Sequence, residues 1–293
     1  MPLQEHDIRT RDGRILKVRD AGPTNGLPIF VHHGTPMAGL LWEPWVEDAQ
    51  GRGLRLLSHD RPGYGGSDRR PGRTVADVVP DVTDIADHLG IERYATWGIS
   101  GGGPHALACA ALAPGRCIAA ASLAGVGPWD TEGLDFTAGM GKDNVDEFNL
   151  SLQGREAIES ITRKNANEML AAAPADIFAG LESIVSDVDK AVMTDDFARF
   201  MWECTHVGIG ESIEGWLDDD LMFVRSWGFA VSDIDVPTLV VQGREDLMVP
   251  YGHGEWLVSH IPGAESWLSE EEGHLTVLVN RVADAHQWLK ERF

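Results

Sequence analysis

The chain has 293 residues, 43% of them hydrophobic and 24% charged, which suits a soluble globular protein with a sizeable core. Its formal net charge of −22 and pI near 4.7 repel phosphate backbones and anionic lipid surfaces, so neither nucleic acid nor a membrane is an expected partner. No apolar run approaches the roughly 20 residues that a membrane span needs.

The N-terminal stretch "MPLQEHDIRTRDGRILKV" lacks the apolar core of a signal peptide, and a cytoplasmic protein is expected. "RILKVRDAG", then "LPIFVHHG" at 27–34, read as strands ending in turn residues. "LRLLSHDRPGYGGSD" at 54–68 is a strand running into a glycine-rich loop. Residues 74–90 carry apolar positions at helical spacing, with Pro80 near the start and Gly90 as the C-cap. "RYATWGIS" at 93–100 predicts a strand, "PHALACAALAP" at 104–114 a helix, and "CIAAASLAGV" at 117–126 a buried strand. Alternation of this kind implies a mostly parallel sheet with helices on both faces.

From 131 to 230 the periodicity is helical, with no convincing strand. Residues 131–220 hold 20 acidic against 6 basic side chains, a net of −14, so most of the chain's charge sits in under a third of its length. "VPTLVVQG" at 236–243 is a strand again, and "AESWLSEEEGH" at 264–274 a short strand with its loop. "LTVLVNRVADAHQWLKERF" reads as one closing amphipathic helix. Because the sheet resumes after the helical stretch, 131–230 is expected to be an insertion into one α/β core made of 1–130 and 231–293. Cys109, Cys117 and Cys204 stand in no metal-ligand spacing and read as buried thiols of a reducing compartment.

The chemistry is expected at "WGISGGGP", residues 97–104. Gly98, Ser100 and Gly102 form a G-x-S-x-G between a predicted strand and a predicted helix. A serine on so sharp a turn takes strained backbone geometry, and its hydroxyl stands clear of the sheet. The turn leaves no room for side chains two residues either side, hence Gly98 and Gly102. Gly101 offers its backbone N–H to a developing oxyanion at a helix N-terminus.

Such a serine needs a base and a carboxylate to orient it, in the order Ser, acid, His on this architecture. Asp246 follows one late strand and His274 the next. His253 and His260 compete for the base role but read as surface histidines, His286 lies in the last helix, and Glu245 competes with Asp246. In "HHGTP", residues 32–36, Gly34 allows a turn, the Thr35 N–H is the natural second oxyanion donor, and His33 supports the loop.

Together, "HHGTP", "DRPGYGGSD", "GISGGG", "GREDLMVP" and "EGH" resemble the α/β-hydrolase superfamily in order and interval, over most of the chain. The resemblance is to its serine-nucleophile branch with a helical cap, which includes esterases, lactonases and peptidase-like enzymes. It implies a triad of Ser100, Asp246 and His274, a cap over the site, and no metal or organic cofactor. Dehalogenases and epoxide hydrolases of this fold carry Asp where Ser100 stands. The expected activity is hydrolysis of a small to medium, largely apolar ester, lactone or related acyl compound through an acyl-enzyme. Alternatives are carbon–carbon bond hydrolysis, proline-iminopeptidase-like removal of an N-terminal residue, and slow or absent turnover in a small-ligand-binding protein. "HHGTPM" and "WGISGGG" depart from the HGGPG and G-G-S-W-G strings usual in the iminopeptidases. The cap's aromatic and Met residues are expected mainly to form its own core, and its acidic residues mainly to face solvent, with one or two possible exceptions directed at a substrate amine.

Overall fold

Leu56 and Leu57 are adjacent in sequence yet lie in opposite apolar layers, and the same split separates Ala119 from Ala120 and Val240 from Val241. Strand geometry sends successive side chains to opposite faces, so a strand covered on both sides must be apolar at every position. In the computed structural model, which describes residues 3–178, 181 and 183–293, these strands form the middle of an eight-stranded sheet. In chain order the strands are β1 (Gln4–Arg9), β2 (Ile15–Ala21), β3 (Leu27–His32), β4 (Leu54–His59), β5 (Tyr94–Ile99), β6 (Cys117–Leu123), β7 (Thr238–Gly243) and β8 (Glu265–Ser269). The spatial order is β1-β2-β4-β3-β5-β6-β7-β8. β1 and β2 run antiparallel at one edge, and all pairs from β4 through β8 are parallel.

Helices α1 (Glu43–Gly51), α2 (Val78–His88) and α3 (Gly103–Leu112) connect the early strands. Pro80 is the third residue of α2, where its missing N–H costs no helical bond. Gly90, at φ 67°, takes the left-handed conformation that ends the helix. Between β6 and β7 come α4 (Lys142–Gln153), α5 (Arg155–Ala171), α6 (Asp187–Lys190), α7 (Asp195–Ile209) and α8 (Glu214–Phe223), with no strand among the described residues. Ile158, Ala166, Ile209, Ile213, Trp216 and Leu217 form a separate apolar core there, joined by Tyr64. α9 (Tyr251–His260) follows β7.

Three elements differ from the sequence expectation or escaped it. β1 is an edge strand in which only Ile8 is buried, so it carries no apolar alternation to read. α1 had no counterpart in the periodicity analysis. The closing segment is two helices, α10 (His274–Asn280) and α11 (Val282–Lys290), separated at Arg281. The break lets Leu275 and Leu278, and then Val282, Ala285 and Leu289, reach the same apolar layer from two directions.

No helix among the described residues is long and apolar enough to cross a membrane. Cys109, Cys117 and Cys204 are buried and free.

Candidate active site

Parallel strands end at one edge of the sheet, and the loops beyond β3, β4, β5, β7 and β8 therefore gather there. Ser100 follows β5 directly. Its φ of 55° lies in the left-handed region that a residue with a Cβ rarely occupies. The chain then makes one 3₁₀ turn, Ser100–Gly102, before α3. The flanking glycines are required sterically. A Cβ on Gly98 would fall on the carbonyl oxygen of Gly102, and one on Gly102 on that of His32. A Cβ on Gly101 would meet Thr35 Oγ1 at 2.6 Å and Phe223 Cζ at 2.9 Å.

This crowding makes a prediction. Gly102→Ala should destabilise the protein by about 1–3 kcal/mol, as overpacking does, and should depress activity with it. Gly252→Ala is the control. Gly252 lies in α9 with open space at its Cβ, so alanine there should stabilise by roughly 0.5–1 kcal/mol. Thermal melts of the two variants check both signs.

Asp246 and His274 are joined by a hydrogen bond. His274 Nδ1 donates to Asp246 Oδ2 over 2.8 Å. Asp246 is 2% exposed, and its Oδ1 accepts from the Met248 and Val249 N–H groups at 2.8 and 2.7 Å. Gln242 Nε2 donates to Oδ2 at 3.0 Å. These donors hold the carboxylate in one orientation. Burial alone would push the His274 imidazole down, but the charge and hydrogen bond of Asp246, aided by Asp189, leave it above its ordinary value. Glu245 is exposed, so it cannot share that role.

Ser100, His274, Thr35, Gly34 and Gly101 line one cavity of about 440 Å³. No hydrogen bond joins Ser100 Oγ to His274; such bonds commonly tighten only in a substrate complex. Among the described residues the Thr35 N–H finds no backbone hydrogen-bond partner. Gly101 is the second residue of its turn, where an N–H has no partner within the helix. Two donors are thus available beside the serine.

His33 is buried in the support of this loop. Its Nε2 accepts from the Arg61 N–H at 3.0 Å, so Nδ1 carries the proton donated to the Gly34 carbonyl at 2.8 Å. Burial first, then the Arg61 charge, keeps it well below its ordinary pKa and neutral. His260 is exposed, whereas His253, against the sequence expectation of a surface histidine, is 1% exposed. It accepts from the Gly127 N–H and donates to the Phe136 carbonyl at 2.9 and 2.7 Å, which ties α9 to the chain beyond β6. His286 is likewise buried, paired with Asp48.

The roof of the cavity comes from the helical segment. Phe148, Met169, Phe178, Met201, Trp216 and Phe223 supply apolar surface. The acidic residues there are not all outward. Asp218, Asp219 and Asp220, which read as a solvated run, are all buried. Asp218 takes a bidentate contact from Arg69, and Asp219 pairs with Arg61 and Arg73. Asp220 meets Glu147 at the cavity wall. Trp216 Nε1 donates to Glu147 Oε1 at 2.9 Å, and no N–H or O–H of the described residues reaches Asp220 Oδ2. Burial raises the pKa of both carboxyls, against the Trp216 and Asp220 hydrogen bonds at Glu147; at Asp220 the nearby Glu147 adds to burial and pushes it far above the usual range. Sequence reasoning missed Asp218 and Asp219 because their partners lie about 150 positions away in the "DRPGYGGSDRRPGR" loop. Among the described residues, no three His, Cys, Asp or Glu side chains are grouped to hold a metal ion.

A family model described as "alpha/beta hydrolase fold" matches residues 28–155. A non-heme chloroperoxidase of Streptomyces lividans is 27% identical over 253 residues, covering 83% of each chain. A bifunctional esterase/perhydrolase of Acinetobacter calcoaceticus is 25% identical, again covering 83% of each. Among solved structures, a thermophilic esterase from Thermogutta terrifontis superposes with a TM-score of 0.67 at 22% identity, covering 99% of both chains. A bromoperoxidase from Bacillus anthracis superposes with a TM-score of 0.72 at 19% identity, covering 98% of this chain and all of that one.

Proposed function

The chain belongs to the α/β-hydrolase superfamily and is an enzyme of that family, and from this premise we propose that it is a serine hydrolase. Ser100 attacks the carbonyl carbon of a bound ester, lactone or related acyl compound. His274 Nε2 takes the serine proton and then delivers it to the leaving group. Asp246 keeps the proton of the resting imidazole on Nδ1 and stabilises the imidazolium. The N–H groups of Thr35 and Gly101 stabilise the oxyanion. A water activated by His274 then releases the acid from Ser100. The observation that carries this reading is the 2.8 Å bond from His274 Nδ1 to a buried, multiply held Asp246, with Ser100 on the same cavity.

The helices between β6 and β7 act as a cap. Their apolar side chains and the volume of about 440 Å³ favour a small to medium, largely apolar acyl group. The expected result is a burst of p-nitrophenol from a short-chain p-nitrophenyl ester, followed by slower steady turnover. Absence of turnover across a series of acyl lengths would favour the ligand-binding alternative.

One observation supports a narrower reading. Asp220 and Glu147 are acidic groups on the cavity wall, and no lysine or arginine of the described residues is paired with either. A substrate bearing an ammonium group would supply the missing cation. Neutral and amino-bearing esters are therefore expected to outrun carboxylate-bearing ones of equal size. Exposed charges beyond about 10 Å are screened at 0.1 M salt, so a gap set at the mouth narrows as salt rises while one set at the buried pair persists. Equal kcat/KM across the set at low salt would mean that the cap selects by shape alone.

A further inference from the structure

Two carboxylates of the helical segment, both fully buried, accept hydrogen bonds from the loops that carry Thr35 and His274. The first is Asp219 on α8. Its Oδ2 accepts from Thr35 Oγ1 at 2.6 Å, Arg61 Nη2 at 2.6 Å and Tyr64 Oη at 2.8 Å, and Arg73 approaches Oδ1 at 2.6 Å. Arg61 also donates to the carbonyls of His33 and Gly34, so the whole 33–35 loop hangs from this cluster. Burial opposes the Asp219 charge, but Arg61 and Arg73 outweigh it and hold the carboxyl far below the usual range.

The second is Asp189, in α6. Its Oδ1 accepts from the N–H groups of Leu275 and Thr276 at 2.8 and 3.0 Å. Its Oδ2 accepts from the His274 N–H at 3.1 Å and from Ser186 Oγ at 2.9 Å. These are the first three N–H groups of α10, which lack partners within the helix. Gly273 precedes them and has no side chain with which to cap. A Cβ there would lie 2.5 Å from Asp189 Oδ1, so the glycine leaves the space that the carboxylate fills.

We propose that Asp189 and Asp219 are positioning residues, through which the cap holds the His274 turn and the Thr35 loop in register with Ser100. The proposal rests on the serine-hydrolase reading and deepens it. The cap is then part of the catalytic frame as well as a cover: its displacement would release the base and one oxyanion donor together. Mispositioning by about 1 Å can cost up to 10²-fold in rate, which sets the scale of the effect.

Asp219→Asn leaves two buried arginines short of a charge and is at risk of not folding, so Thr35→Val is the sharper variant. It keeps the backbone N–H and removes the hydroxyl that Asp219 holds. Its kcat should fall by about 10- to 100-fold with KM within about threefold. Affinity for phenylboronic acid should fall by the same factor as kcat. In that adduct Ser100 Oγ bonds to boron, its proton passes to His274, and the tetrahedral boronate resembles the transition state. Thr35→Ser should restore both. Asp189→Asn keeps the shape and removes the charge. The charged groups that act on His274 are Asp246 and Asp189, so losing one should move the acid limb of kcat/KM to lower pH while kcat falls. A folded Thr35→Val enzyme with wild-type kcat, or one changed in KM alone, would overturn the role of Asp219. An unmoved acid limb with unchanged kcat would overturn that of Asp189. A wild-type protein that neither turns over esters nor binds the boronate would instead overturn the serine-hydrolase reading beneath both.

Discussion

Ser100→Ala is expected to lower kcat by about 10³–10⁶-fold, because the members of a triad act as one unit and little is left when the nucleophile goes. Binding of substrate analogues should survive, since the cavity is built from many side chains besides this one. The fold should survive too. Ser100 holds a φ of 55°, and alanine carries the same Cβ, so the strain of the turn is unchanged by the substitution. The residual rate should come from the Thr35 and Gly101 donors acting on water attack. Retention of more than a tenth of the esterase activity would remove Ser100 from the nucleophile role.

Asp246→Asn should be nearly as damaging, by about 10⁴-fold in kcat. The asparagine would keep the size of the side chain. However, its amide could present N–H to His274 Nδ1 and so favour the tautomer with the proton on Nε2, the nitrogen that must accept from Ser100. A second effect has a defined sign. The Asp246 charge and hydrogen bond hold the His274 imidazole above its ordinary value against the effect of burial. A general base works only when neutral, so kcat/KM falls as pH drops through that raised pKa. Without the carboxylate the imidazole pKa drops, and the acid limb of the residual activity should shift to lower pH. Glu245→Gln should be mild, because Glu245 is exposed and its backbone N–H, which the substitution keeps, bonds the Glu272 carbonyl. The reverse ranking of the two variants would transfer the acid's role to Glu245.

The central strands were legible because burial on both faces makes them nearly continuous apolar runs, and the turn residues after them stand out by contrast. The candidates Ser100 and Asp246 could be picked from the sequence for a related reason, since each stands just beyond such a strand; His274 follows the edge strand β8, and parallel strands bring all three ends to one edge. What could not be read was the side of the helical segment that faces inward. Three consecutive aspartates at 218–220 have the composition of a solvated surface. Asp218 and Asp219 are buried against Arg61, Arg69 and Arg73, which become their neighbours only when β4's loop meets α8, and Asp220 is buried against Glu147. Asp189 is invisible for the same reason, since nothing near it in sequence marks it as the cap of a helix that begins at His274. His253 looked like a surface residue of a helix, but both its ring nitrogens are satisfied by backbone groups from a segment over a hundred residues earlier. β1 escaped because an exposed edge strand with one buried residue carries no periodicity.

The central claim is that Ser100 is an activated nucleophile. A fluorophosphonate that reacts only with activated serines tests it directly, with the modified peptide identified by mass spectrometry. The account predicts one adduct per chain, on the peptide containing Ser100, formed in step with loss of esterase activity and absent from the Ser100→Ala protein. An unmodified Ser100 in a protein that still hydrolyses esters, or inactivation with the adduct on another residue, would contradict it.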